Sequence, residues 1–235
     1  MFARPRIDEV AVAPGHSAFV IDDALLDPQA LVDYAVAQRD AFAESPHNAY
    51  PGPELRLPDA AAAPLDAFFS EHLRSRLGAR RTLRMYARLS MATRRADALD
   101  PRQWIAHRDR LDDAPDRLVA ACVLYLFHDP ALGGTAFFTP NRDARATALG
   151  VHESGVLDGD TFARRYAVAR AYPHGDNALF TRTGEVEARW NRVVFYDGGA
   201  LFHGSAIREP ERLRDDPRSG RLTLNGFFVC RARAR

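Results

Sequence analysis

The sequence contains no lysine, so all 32 basic residues are arginines, set against 31 Asp and Glu for a formal charge of +1 over 235 residues. A balance this close creates no field of one sign, and a nucleic-acid partner is not expected. Cysteine is almost absent too, with Cys122 inside an apolar run and Cys230 near the C-terminus. Two such residues make no CxxC pair and no disulfide framework, and they read as reduced core or near-surface thiols of a cytoplasmic protein. No apolar run approaches a membrane span, and the opening MFARPRIDEVAVAPG has no apolar stretch before Asp8 and Glu9. Neither a membrane segment nor a signal peptide is expected.

What is present suffices for a full core, since 46% of the residues are apolar and 10% aromatic. A single domain over 1–235 is the expectation. Asp27-Pro28 opens a helix with Leu31, Val32, Tyr34, Ala35, Gln38 and Phe42 at helical spacing. The proline-rich SPHNAYPGPELRLPD, 45–59, reads as an ordered loop. A second helix follows, with Leu65, Phe68, Phe69, Leu73 and Leu77 on one face and Gly78 as its stop. From residue 81 the period changes to two, with Leu83, Met85, Ala87, Leu89 and Met91 alternating with polar neighbours as in a half-buried strand. LVAACVLYLF, 118–127, reads as a buried central strand, and GGTAFF, 133–138, as a turn into a short one. Residues 160–171 look helical, 193–196, 201–203 and 222–229 look like strands, and the charged 208–218 reads as a mobile surface loop. Helices first and strands later is the pattern of an α+β domain built on an antiparallel sheet.

Two His-x-Asp tripeptides occur, His107-Arg108-Asp109 and His174-Gly175-Asp176, where eight His and the Asp content give about 0.75 by chance. In an extended segment, residues two apart point the same way, so either pair could close on one ion. The second lies in a turn-forming cluster beside Pro173 and Asn177 and reads as a turn with a solvated His. The first precedes a charged connector and the most apolar strand. His203 ends a short apolar strand after a Gly-Gly turn, far enough along the chain for several strands to intervene before it returns beside residue 107. His107, Asp109 and His203 together would leave the opposite face of a non-haem Fe(II) open; otherwise His203 caps its strand through a backbone hydrogen bond. On the last strand Arg221, Thr223 and Asn225 project to one side. Arg221 is then either a cation inside a barrel, suited to a carboxylate, or an edge residue facing solvent.

These residues, with LVAACVLYLFHDPALGGTAFF at 118–138, NRVVFYDGGALFHGS at 191–205 and RLTLNGFF at 221–228, carry a family likeness over roughly 81–230. The sequence resembles the Fe(II)/2-oxoglutarate-dependent dioxygenase superfamily, in its prolyl-4-hydroxylase-like branch. The resemblance implies a double-stranded β-helix, a jelly-roll or cupin-like barrel over about 81–232 with an insert at about 141–175 and helical support from about 23–80. It implies Fe(II) on His107, Asp109 and His203, and 2-oxoglutarate on Arg221, with Tyr86 and Tyr125, on neighbouring strands, and Thr135 and Asn225 as further contacts. An intact Asp109 points to hydroxylation over halogenation, with O2 as oxidant and an amino acid, peptide or small molecule as substrate. Tyr50 and Arg56 are the substrate-contact candidates, together with the insert. Two departures stand out, the 18-residue gap from His203 to Arg221 and the absence of an acidic residue before Thr135. The rival readings are an inactive binding module on the same barrel and a cupin-like hydrolase or isomerase with a divalent metal. A homodimer is left open.

Overall fold

A computed structural model describes residues 5–45, 49–111 and 114–233. Period-two patterning from residue 79 onward yields long antiparallel strands, and among the described residues these form two sheets. The larger has the order β1-β2-β8-β5-β10-β4-β3: β1 Asp8–Ala13, β2 His16–Ile21, β8 Val193–Asp197, β5 Arg117–Tyr125, β10 Arg221–Ala232, β4 Ala79–Ala92 and β3 Glu54–Arg56. The smaller joins β7 Phe180–Val186, β6 Thr135–Pro140 and β9 Phe202–Ser205, and an isolated antiparallel bridge between His107 and His203 adds a fourth rung beside β9.

From β4 onward the chain visits the sheets in a fixed rhythm. β4, β5, β8 and β10 lie in the large sheet, while the His107 rung, β6, β7 and β9 lie in the small one. Eight segments paired this way are a double-stranded β-helix, so the expected fold class is observed. Its apolar residues divide between two cores. Tyr125, Phe137, Tyr196 and Phe227 fill the space between the sheets. Ala87, Leu89, Met91, Phe195 and Phe228 use the other face of the large sheet against the helices α1 Gln29–Ala37 and α2 Asp59–Phe68. Phe69, just beyond α2, stacks on Phe228 with ring centroids 3.9 Å apart. Burying each such ring contributes about 1.5–3 kcal/mol.

The order of elements departs from helices first. An N-terminal hairpin, β1-β2, precedes them and extends the large sheet at β8. It turns at Gly15, whose φ of +73° is one that glycine adopts without strain. Within the expected loop 45–59, Glu54–Arg56 pairs with β4, and its flanking prolines suit an edge strand; residues 46–48 lie outside the described residues. The insert holds two helices, α3 Ala144–Ser154 and α4 Gly159–Tyr166. Their N-caps are Asp143, accepting from the Ala146 N–H at 2.8 Å, and Asp158, accepting from Thr161 at 2.9 Å. The helix expected to run to 171 ends sooner, because Ala167 takes a left-handed conformation, φ +52°. The stretch 208–218, expected to be a mobile surface loop, holds one helical turn at Pro210–Arg212 and forms the ion pairs Arg208–Glu185, Arg212–Asp129 and Arg39–Asp215.

Candidate metal centre and its cavity

His107 and His203 meet because their backbones pair, the N–H of each donating to the carbonyl of the other at 3.0 and 2.8 Å. Asp109 is held two residues further on, where its N–H donates to the Gly198 carbonyl at 2.8 Å. One ligand atom from each of the three side chains falls within 4.8 Å of the others. The His203 Nε2 lies 3.6 Å from Asp109 Oδ2 and the His107 Nε2 4.0 Å from Asp109 Oδ1. Metal bonds of about 2.1 Å allow ligand atoms separations of this order.

The electrostatics suit a cation. His203 is buried and its Nδ1 sits 3.0 Å from the Leu201 carbonyl, which fixes the proton on Nδ1 and leaves the Nε2 lone pair facing Asp109. Burial lowers its pKa to about 4. Desolvation, then the neighbouring His203, lowers His107 to about 4 as well. Since 53% of the His107 side chain is exposed, the depression is firmer for His203. Burial lifts Asp109 to about 6, against the pull of His107 and Arg88. Its Oδ2 is buried without a hydrogen-bond partner, a costly state for a carboxylate that a metal ion would relieve. Gly198 makes the room, because a Cβ there would stand 2.2 Å from this oxygen.

The three ligands line a cavity of about 90 Å³ that also reaches Arg221, room for a ligand of several heavy atoms. Arg221 is 2% exposed. Its Nε donates to the Leu132 and Gly133 carbonyls at 2.9 and 3.2 Å and its Nη2 to Gly134 at 3.3 Å. The Phe127 ring lies 5.6 Å away, and among the described residues no carboxylate forms an ion pair with this guanidinium. Thr223 and Asn225 follow on the same side of β10 and line the same cavity.

Of the residues singled out from sequence, Thr135, Asn225 and Tyr50 line the cavity with Arg221 and the three ligands. Tyr125 stands behind Thr135, its hydroxyl 2.7 Å from Thr135 Oγ1, and burial pushes its pKa to about 12. Tyr86 and Tyr125 are not on neighbouring strands, because β10 runs between β4 and β5; Tyr86 instead stacks on Phe227 at 5.0 Å. Tyr50 lies at the Arg221 end, beside Thr223, and burial raises its pKa. Arg56 is exposed, 5.6 Å from the Tyr86 ring. His174 and Asp176 stay apart from the cluster: His174 Nδ1 contacts the Tyr172 carbonyl at 2.9 Å and Asp176 accepts from the Arg182 N–H at 2.7 Å. Sequence reasoning missed Arg88, whose Nε is 2.8 Å from Glu54 Oε1, and the chain Glu54–Ser90–Asn225 with links of 3.0 and 2.9 Å. The available signal was the alternation of Tyr86, Arg88 and Ser90 along β4.

Several solved structures are similar. A Pseudomonas putida prolyl-4-hydroxylase shares 16% identity over 94% of this chain and 95% of its own, with a TM-score of 0.48. HygX from Streptomyces hygroscopicus, with nickel and 2-oxoglutarate bound, shares 14% over 91% of this chain and 82% of its own, at 0.49. SnoN, a non-heme alpha ketoglutarate dependent epimerase from nogalamycin biosynthesis, shares 10% over 91% and 78%, at 0.46. No curated protein matches the sequence. The profile of a family of unknown function, DUF6445, matches residues 3–228, and the chain belongs to that family.

Proposed function

We propose that the protein is an Fe(II)- and 2-oxoglutarate-dependent oxygenase that hydroxylates an amino acid, a peptide or another small molecule. The observation that carries this reading is the joining of two unfinished sites in one cavity. At one place two neutral imidazoles and a buried carboxylate oxygen that accepts no hydrogen bond converge. At another, a buried guanidinium has no anion among the described residues. An unpaired buried charge is expensive, and each place is relieved by a ligand of opposite sign. A metal ion together with a dicarboxylate satisfies both.

The donor set fits the implied group, since two His and one Asp on one side of an ion leave positions for a chelating co-substrate. His107, Asp109 and His203 would hold the iron, and Arg221 would take the distal carboxylate of 2-oxoglutarate through its planar fork. Bound there, iron and 2-oxoglutarate supply the oxidising power of O2, with succinate and CO2 as co-products. The chain supplies the rest. Asp109 and the imidazoles orient the ion, Thr135 and Asn225 offer polar contacts along the co-substrate, and Tyr50 with the Tyr125–Thr135 pair excludes water from the Arg221 end. The intact ligand set weighs against an inactive binding module, and Arg221 against a metal hydrolase with no oxoacid.

Anaerobic calorimetry tests this directly. 2-Oxoglutarate is expected to bind the Fe(II)-loaded wild type far more tightly than the metal-free protein, with the gain lost in His107→Ala. Arg221→Ala is expected to weaken binding by about 100-fold, the scale of a charge-assisted bidentate pair. Equal affinity with and without metal would sink the oxygenase reading, and an unchanged Arg221→Ala would remove the clamp.

A further inference from the structure

Two further cations stand beside the cavity. Arg56 on β3 and Arg88 on β4 are directly opposite each other in the antiparallel register. Like charges placed so repel. Each is laid against an aromatic ring, Arg56 at 5.6 Å from Tyr86 and Arg88 at 4.7 Å from Phe227. The two rings stack on each other at 5.0 Å and 21°. The result is a shelf of two guanidinium groups backed by two rings. Phe227 and Arg88 line the same cavity as the His-Asp-His cluster, so that half of the shelf borders the metal centre, with Arg56 and Tyr86 next to it on the outer side.

Glu54, two residues before Arg56 on β3, pairs with Arg88 and accepts from Ser90. It compensates one cation. Among the described residues the carboxylate paired with Arg56 is Asp59, at 3.6 Å, with side chains 69% and 86% exposed, and a surface pair of this kind contributes little. One positive charge at the shelf is therefore left over for a ligand. Arg88 is aligned with Asn225, four residues or about 13 Å along the strand from Arg221. A five-carbon diacid anchored on Arg221 leaves the shelf to another molecule.

Resting on the oxygenase reading, we infer that Arg56 and Arg88 clamp a carboxylate of the prime substrate, with the stacked Tyr86 and Phe227 rings holding the two guanidinium groups in place. Two planar forks suit a carboxylate, and the retained Glu54 disfavours a doubly charged phosphate. The substrate class is thus a monocarboxylate, such as an amino-acid derivative bearing a free acid.

Phenylacetate serves as the probe and neutral phenylacetamide as its control, titrated by ligand-observed NMR into protein loaded with Zn(II) and saturating 2-oxoglutarate. The acid is expected to bind and the amide to bind at least tenfold more weakly. Arg56→Gln, a surface change that leaves Glu54 paired, should weaken the acid about tenfold, and Arg56→Gln with Arg88→Gln more. Acid and amide binding alike, or an Arg56→Gln variant indistinguishable from wild type, would overturn the clamp. So would loss of the acid in Arg221→Ala but not in Arg56→Gln, which would place it in the co-substrate end. These outcomes are separate from failure of the oxygenase reading, which shows as 2-oxoglutarate binding indifferent to metal. The same titration without metal or 2-oxoglutarate still reads the shelf in that event.

Discussion

His107-Arg108-Asp109 and His174-Gly175-Asp176 have the same residues at the same spacing, yet the chain gives them different surroundings. The first pair lies beside the small sheet, its histidine bridged to His203 and the Asp109 main-chain N–H donating to the Gly198 carbonyl. The second lies in a bend, where its side chains spend their polar atoms on nearby backbone. Spacing lets two ligands face one way. What separates the pairs is a third ligand, and a fold that leaves a carboxylate oxygen buried with no hydrogen-bond partner.

The largest effect expected from breaking this contrast is on metal affinity. His203→Ala and Asp109→Ala should each lower Fe(II) or Zn(II) affinity by more than about 100-fold, read by calorimetry. His174→Ala should leave it unchanged. Equal losses from His174→Ala and His203→Ala would put the metal elsewhere.

Two glycines give the next effect. In Gly198→Ala the new methyl would lie 2.2 Å from Asp109 Oδ2 and 3.1 Å from Ala121 Cβ, so Asp109 must swing out of the cluster. Metal affinity should fall about 10- to 100-fold while far-ultraviolet circular dichroism keeps its shape. A Cβ at Gly175 meets nothing within 4 Å, and Gly175→Ala should bind metal as the wild type does.

Much of this is legible in the sequence because it follows from periodicity. The alternation of Ala87, Leu89 and Met91, the apolar run at β5 and the side shared by Arg221, Thr223 and Asn225 all survive in the structure. Alternation cannot say which side of a strand faces water. In β4 the polar set points away from the helices, Arg88 lining the cavity, Ser90 bonded to Asn225 and Tyr86 stacked on Phe227, while the apolar set packs on the helices. A polar cavity and a solvated surface select the same residues, which is why Arg88 and Glu54 went unread. The hairpin β1-β2 was missed for a related reason. Its strands are six residues each, and β8, the partner of β2 beyond the hairpin, lies more than 170 residues away.

Acidity offers a milder way to sharpen the contrast. Without metal, Asp109 titrates at about 6 and His203 at about 4. At pH 7 the carboxylate is ionised and His203 neutral, so metal displaces almost no proton from them. At pH 5 Asp109 is protonated, and binding should release close to one proton per ion. Calorimetry in two buffers of different ionisation enthalpy reads that number, and Asp109→Asn should abolish it. Apoprotein stability moves in two directions. Asp109, raised from 3.8, favours the native state at low pH and loses that contribution as pH rises from about 4 to 6. His107 and His203, lowered from 6.5, do the opposite and cost stability as pH falls from 6.5 to about 4. With His107 half exposed, His203 carries most of that cost and Asp109 opposes it through the same window.

The smallest effect belongs to the second tripeptide. Asp176 is exposed and its carboxylate accepts one main-chain hydrogen bond, from Arg182 at 2.7 Å, where β7 begins beside the turn. Asp176→Ala removes that bond but leaves the donor near solvent, so water replaces the carboxylate and the loss should be about 0.5–1.5 kcal/mol. Denaturant unfolding would show it as a lower midpoint at constant slope. Metal affinity, and its proton release at pH 5, should stay as in the wild type. A change in either would mean that the two tripeptides are coupled through Pro173, whose Cγ is 2.6 Å from where a Cβ on Gly204 would lie, beside His203.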